Sequence, residues 1–135
     1  MITGAQNQEG VRHVVTLSEA PSDLRQDLAR LLQWSVIEVD EFEPPSLQQI
    51  RQFISICENA RKVNQAVGVH CRMGRGRTGV MAACFLTRFC DLAPSSAICN
   101  LRLMRPGSVE TFAQERAVHM YHDFLRTSDT ELSFQ

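Results

Sequence analysis

The sequence predicts an α/β domain with a central, mostly parallel twisted sheet flanked by helices. Three observations predict it. Short β-branched runs alternate with helix-period segments as strand, helix, strand, helix, strand, and three helices follow. The first run, Val11-Arg12-His13-Val14-Val15-Thr16-Leu17, is apolar on both parities, as a strand buried on both faces would be. A glycine-rich loop follows one strand directly and opens a helix, which is where open parallel sheets hold ligands.

Taken in order, residues 1–10 are polar and read as a disordered lead. Residues 11–17 form the first strand, with His13 in a structural role. Ser22-Asp23 caps a helix carrying Leu24, Leu28, Leu31 and Leu32 and ending near Gln33. Trp34 to Val39 forms a second strand, which runs into the acidic corner Asp40-Glu41-Phe42-Glu43-Pro44-Pro45, where two prolines stop regular structure. Ser46 and Gln49 complete a capping-box pattern. Leu47, Ile50, Phe53, Ile54, Cys57 and Ala60 then share one helical face.

Asn64-Gln65 turns the chain into a strand over 66–71. The stretch from Thr78 to about Cys90 is apolar nearly all round and reads as the central buried helix, with Cys84 and Cys90 as packing residues. Pro94 opens the next helix, with Ala97, Ile98, Leu101 and Met104 turned to the core. Arg105-Pro106-Gly107 ends it. Ser108 or Thr111 caps a last helix carrying Phe112, Ala113, Val118, Tyr121 and Leu125, and residues 127–135 read as a frayed polar tail.

Composition narrows the function classes. A chain of 135 residues with 44% hydrophobic content suits one domain with a real core. A net charge of -1 argues against a nucleic-acid binder that relies on a global basic field. No apolar run reaches the roughly 20 residues of a membrane span. The cysteines, at positions 57, 71, 84, 90 and 99, are odd in number and irregularly spaced. They predict reduced thiols of the cytosol or nucleus rather than a disulfide framework. No Cys-x-x-Cys pair is present, so neither a structural zinc nor any other metal is expected.

The chemistry concentrates in His70-Cys71-Arg72-Met73-Gly74-Arg75-Gly76-Arg77-Thr78-Gly79. Cys71 stands at the end of a strand, and glycines let the backbone turn its N–H groups inward over the loop from Arg72 to Arg77. The helix that follows aims its positive end at the same place. Such a cradle binds an anion above a thiol, and its field lowers that thiol's pKa below the free value of about 8.5, giving a nucleophilic thiolate.

This stretch resembles the Cys-x5-Arg phosphate loop of cysteine-dependent protein phosphatases, in the form His-Cys-x-x-Gly-x-Gly-Arg-Thr-Gly. The similarity extends over residues 11–126 and is greatest to the atypical dual-specificity subfamily. It implies a protein tyrosine phosphatase-like fold with a shortened N-terminus, a phosphatase domain over 11–126 and no cofactor. Cys71 would attack phosphorus, Arg77 and the loop Arg72–Met73–Gly74–Arg75–Gly76 would hold the phosphoryl oxygens, and Thr78 would hydrogen-bond the sulfur as it leaves. His70 would organise the loop.

The resemblance also implies an acid on a separate loop. Anchoring on Phe42 and the prolines gives Glu41, whereas anchoring on residue type gives Asp40. Glu110, in Arg105-Pro106-Gly107-Ser108-Val109-Glu110-Thr111, stands where the family handles the hydrolytic water. The implied substrate is phosphotyrosine, with phosphoserine and phosphothreonine, in proteins. Two alternatives remain. Arg72 and Arg75 occupy places held by lysines in the lipid-phosphatase branch, which suits polyanions such as phosphoinositides or RNA 5′ ends. The altered acid loop suits a phosphoprotein-binding pseudophosphatase. The family's first strands and helix lack a counterpart before Val11, so an uncovered sheet edge and a homodimer through it are expected.

Overall fold

The computed structural model describes residues 2–3, 11–18, 33–72 and 75–133. In order, the elements are β1 (Ile2–Thr3), β2 (Val11–Thr16), β3 (Gln33–Val36), α1 (Leu47–Lys62), β4 (Ala66–His70), α2 (Gly76–Phe89), α3 (Pro94–Met104) and α4 (Phe112–Ser133). The predicted helix over 22–33 lies outside the described residues apart from Gln33, which opens β3.

The sheet order is β1-β4-β2-β3. β2 pairs in parallel with both β3 and β4, the position that its two-sided apolar pattern predicts. Beyond β3 the ladder continues as Ile37 N–H to Thr16 O and Val39 N–H to Leu17 O, both 2.9 Å. These bonds carry the extended chain to Val39, and Asp40 follows immediately.

The core is formed by Val15, Leu17, Val67 and Val69 of the sheet, Phe53 and Cys57 of α1, and nearly all of α2. Each fully buried aliphatic side chain contributes about 1.5–3 kcal/mol. α2 contacts α1, α3 and α4, so the helix that begins within the glycine-rich stretch is the hub of the helical layer. The Ser46–Gln49 capping box forms as expected. None of the described helices is long and apolar enough to cross a membrane.

Five expectations need correction. Within the lead taken as disordered, Ile2–Thr3 pairs antiparallel with Val67 and Gly68, because an apolar and a β-branched residue suit a ladder. That pairing covers the outer edge of β4 at those two residues, so the edge does not stand open along its length. The tail expected to fray from residue 127 continues as helix to Ser133. Met104 is 70% exposed, since the inward stripe Ala97–Ile98–Leu101 has its next turn at position 105, where α3 has ended. Cys90 is exposed because it caps α2 past its last buried turn.

Candidate active site

β4 delivers Cys71 to the carboxyl edge of the sheet. Its last residue, His70, accepts a backbone hydrogen bond from Leu17 at 2.9 Å, and Cys71 follows outside the ladder with 7% exposure. Thr78, on the first turn of α2, is fully buried and donates its Oγ1–H to Cys71 Sγ at 3.0 Å. That distance puts the sulfur beside the positive end of α2. The hydroxyl and the helix dipole both favour the thiolate over the thiol.

Arg77 is 6% exposed, and its Nη1 donates to Val39 O at 2.7 Å. The guanidinium is thereby tied to the backbone immediately before Asp40. A guanidinium has five N–H donors, so one bond to Val39 is compatible with a two-pronged grip on phosphoryl oxygens. Arg72 and Arg75 are exposed. Met73 and Gly74 lie outside the described residues.

The loop after α3 braces the start of α2. Arg75 O accepts from Gly79 N–H at 3.1 Å and from Val109 N–H at 3.0 Å. A Cβ on Gly76 would lie 2.5 Å from Glu110 Oε1 and 2.8 and 2.9 Å from the Gln114 amide Nε2 and Oε1. Glycine at 76 is therefore what lets a carboxylate and an amide rest on the first turn of α2. A Cβ on Gly79 would come 2.7 Å from Val109 N, so backbone meets backbone there.

The acidic corner is docked onto the same loop. Glu43 N–H closes a turn onto Asp40 O at 3.1 Å, with Phe42 at φ 67. Thr111 Oγ1 donates to Phe42 O at 3.4 Å, and Gln114 Nε2 donates to Glu43 O at 3.3 Å. Asp40 and Glu41 are both exposed on this turn, so both remain candidates for the acid.

His70 turns its ring to the neighbouring strand. Its Nε2 lies 2.8 Å from Thr16 Oγ1, which also accepts from Trp34 Nε1 at 2.8 Å. Burial pushes this imidazole below its usual pKa, which favours the neutral ring. His13 makes a similar tie, its Nε2 lying 2.8 Å from Ser35 Oγ. Cys84 is fully buried and its thiol is pushed far up by desolvation, which makes it a poor thiolate.

Two residues at the site were missed from the sequence. Gln114 is fully buried; its Oε1 accepts from Glu110 N–H at 2.8 Å and from Thr111 N–H at 3.1 Å. Its own N–H donates to Thr111 Oγ1 at 3.1 Å, so Thr111-x-x-Gln114 is a capping box, and that spacing was visible in the sequence. Arg102 donates from Nε to Ser108 O at 3.1 Å and from Nη2 to Val109 O at 2.9 Å. No spacing rule marks it.

Comparison with known proteins bears on the family and the fold. Residues 4–118 match the family model described as Swiss Army Knife protein, DSP-PTPase phosphatase domain. The chain is 40% identical over 65 residues to mouse dual specificity protein phosphatase CDC14B, covering 48% of this chain and 13% of that protein. It is 26% identical over 120 residues to the tyrosine-protein phosphatase CDC14 of Candida albicans, covering 89% of this chain and 22% of the relative. The chain thus spans less than a quarter of these curated relatives.

Among solved structures, Tk-PTP in its active form superposes with a TM-score of 0.79 at 25% identity, covering 86% of this chain and 81% of that one. PTPMT1 gives 0.79 at 20% identity, covering 90% and 82%, a likeness of fold alone. With the model matching most of its length, the chain belongs to the DSP-PTPase phosphatase domain family.

Proposed function

We propose that the chain hydrolyses phosphotyrosine, and phosphoserine and phosphothreonine, in proteins through a cysteinyl-phosphate intermediate. The observation that carries this reading is the buried trio of Cys71, Thr78 and Arg77 at the end of β4, with Thr78 Oγ1 3.0 Å from the sulfur.

In the first step Cys71 Sγ bonds to phosphorus as the bond to the ester oxygen breaks. The loop 72–77 and the Arg77 fork hold the equatorial oxygens, and Asp40 or Glu41 gives its proton to the departing oxygen. In the second step a water oxygen bonds to phosphorus as the S–P bond breaks, and the sulfur leaves as a thiolate toward the Thr78 hydroxyl. The carboxylate left on the acid loop takes the water's proton by microscopic reversibility. Glu110, resting on Gly76, orients that water. No metal or cofactor takes part. Oxidation of Cys71 would silence the enzyme reversibly.

Residues 11–126 serve as the phosphatase domain of this reading. Its residue pattern also resembles that of dual specificity protein phosphatase 23, and the cytoplasm and nucleus are the compartments that suit its thiols. A homodimer through the sheet edge loses its motive where Ile2–Thr3 pairs with β4. The exposed Arg72 and Arg75 favour a second reading, a polyanionic substrate such as a phosphoinositide. PTPMT1 has been solved with PI(5)P, and at 20% identity its likeness extends to fold only. A pseudophosphatase is disfavoured by the intact Cys71–Thr78 pair.

Two assays separate these readings. Release of phenolate from a small aryl phosphate distinguishes a catalyst from a binder, because that leaving group needs little acid help. Paired kcat/KM values on a phosphotyrosine peptide and a phosphoinositide distinguish the substrates. Higher values on the peptide support the proposal, and higher values on the lipid overturn it.

A further inference from the structure

We propose that Arg102 is a positioning residue for the hydrolytic step, acting through the turn that holds Glu110 against the start of α2. The proposal rests on the reading of Glu110 given above. Three observations carry it.

First, Val109 is a buried β-branched residue at φ 61, a conformation such residues rarely adopt, so contacts around it must hold it there. Second, hydrogen bonds from two sides do so. Arg102 spans two successive carbonyls, Ser108 O at 3.1 Å and Val109 O at 2.9 Å, and its Nη2 is itself held by Glu115 Oε1 at 2.6 Å. From the other side Val109 N–H is held by Arg75 O at 3.0 Å, and Ser108 Oγ closes back onto Arg105 O at 2.7 Å. Third, the residue that follows this strained position is Glu110, whose carboxylate lies where a Cβ on Gly76 would go.

Two adjacent carbonyls and a carboxylate need a planar donor fork, which Arg has and Lys lacks. Releasing the fork lets Val109 relax toward negative φ, which swings the following peptide and moves Glu110 off α2. Attack by Cys71 does not use Glu110, so formation of the phosphoenzyme is spared. Its hydrolysis is slowed.

The test is pre-steady-state and steady-state kinetics of Arg102→Ala, Arg102→Lys and Glu110→Gln on a small aryl phosphate, with inorganic phosphate as a competitive inhibitor. The expected result for both Arg102 variants is a kcat lower by about 10- to 100-fold, the scale set by a misplaced reacting group. A burst of about one equivalent of phenolate should accompany it, with kcat/KM and phosphate inhibition nearly unchanged. Glu110→Gln should show the same burst.

An unchanged kcat in Arg102→Ala, or kcat and kcat/KM falling together as phosphate inhibition weakens, overturns the proposal by assigning Arg102 no role or a merely structural one. If Arg102→Ala does not fold, Arg102→Lys, which keeps its charge opposite Glu115, decides alone: a burst supports the proposal and its absence overturns it. Glu110→Gln without a burst overturns the reading of Glu110 itself, whatever Arg102 does.

Discussion

Arg77 Nη1 donates to the carbonyl of Val39 across 2.7 Å, so the buried cation on the first turn of α2 and the root of the acidic loop are one hydrogen-bonded unit. Arg77 is buried, and the Val39 carbonyl offers part of the solvation its charge loses. Val39 is in turn fixed to Leu17, the residue that follows β2, through its N–H. The acidic loop is thereby held at both ends, by Arg77 before Asp40 and by Gln114 and Thr111 after it.

Arg77→Lys should lower kcat/KM for an aryl phosphate by about 10²–10³-fold, since a point charge cannot grip two oxygens and Val39 O together. Steady-state kinetics checks this. Activity within a few-fold of the parent would contradict the assigned grip.

Thr78→Ala removes the donor 3.0 Å from Cys71 Sγ. A hydrogen bond to a thiolate favours the charged form, so its loss should move the pH midpoint of iodoacetamide alkylation upward. Turnover should fall by about tenfold, the value of one charge-assisted hydrogen bond. An unmoved alkylation profile would contradict this role.

Gly79→Ala and Gly76→Ala should differ in kind. At Gly79 the new Cβ meets backbone nitrogen at 2.7 Å, so α2 or the Val109 turn must shift, at about 1–3 kcal/mol in urea unfolding. At Gly76 it meets the exposed end of Glu110, which can swing away, and the buried Gln114 amide, which gives way only by loosening its bonds to Glu110 and Thr111 N–H. Gly76→Ala should therefore lose activity through the displaced Glu110, at a smaller stability cost than Gly79→Ala. Equal stability losses in the two variants would contradict the packing described.

Burial holds both His13 and His70 below their usual value of 6.5. Each binds its proton more readily in the unfolded chain, so stability rises with pH through the window between the two values. Their contribution is full above 6.5 and is lost as pH falls below it. Both rings are partly exposed, so the effect is modest. The urea midpoint should be lower at about pH 5.5 than at about pH 7.5, and His13→Gln with His70→Gln should flatten the difference. A slope untouched by the double variant would contradict it.

The readable and unreadable parts of the sequence divide on physical lines. β2, α1 and its capping box, β4 and α3 were legible because local periodicity and short-range hydrogen bonds set them. The approach of Thr78 to Cys71 was legible because a short glycine-rich loop separates the strand end from the helix start. The contacts of Arg102 to Ser108 and Val109, and of Gln114 to Glu43, were not. A guanidinium on a carbonyl or an amide on a distant turn leaves no period in the chain. β1 was missed because two residues cannot show one, and the acid stayed ambiguous because Asp40 and Glu41 share one exposed turn.

Asp40→Asn and Glu41→Gln address that ambiguity through their pH–rate profiles. The variant that loses the basic limb names the acid, since only the true donor must be protonated for the leaving oxygen. Retention of the limb in both variants would exclude the acidic corner.

The central claim is tested most directly by acid-quenching the protein during turnover of an aryl phosphate and mapping the phosphoryl mass by peptide. The account predicts that group on Cys71, with none of it and no turnover in Cys71→Ser. A phosphoryl group on another residue, or turnover persisting in Cys71→Ser, would contradict it.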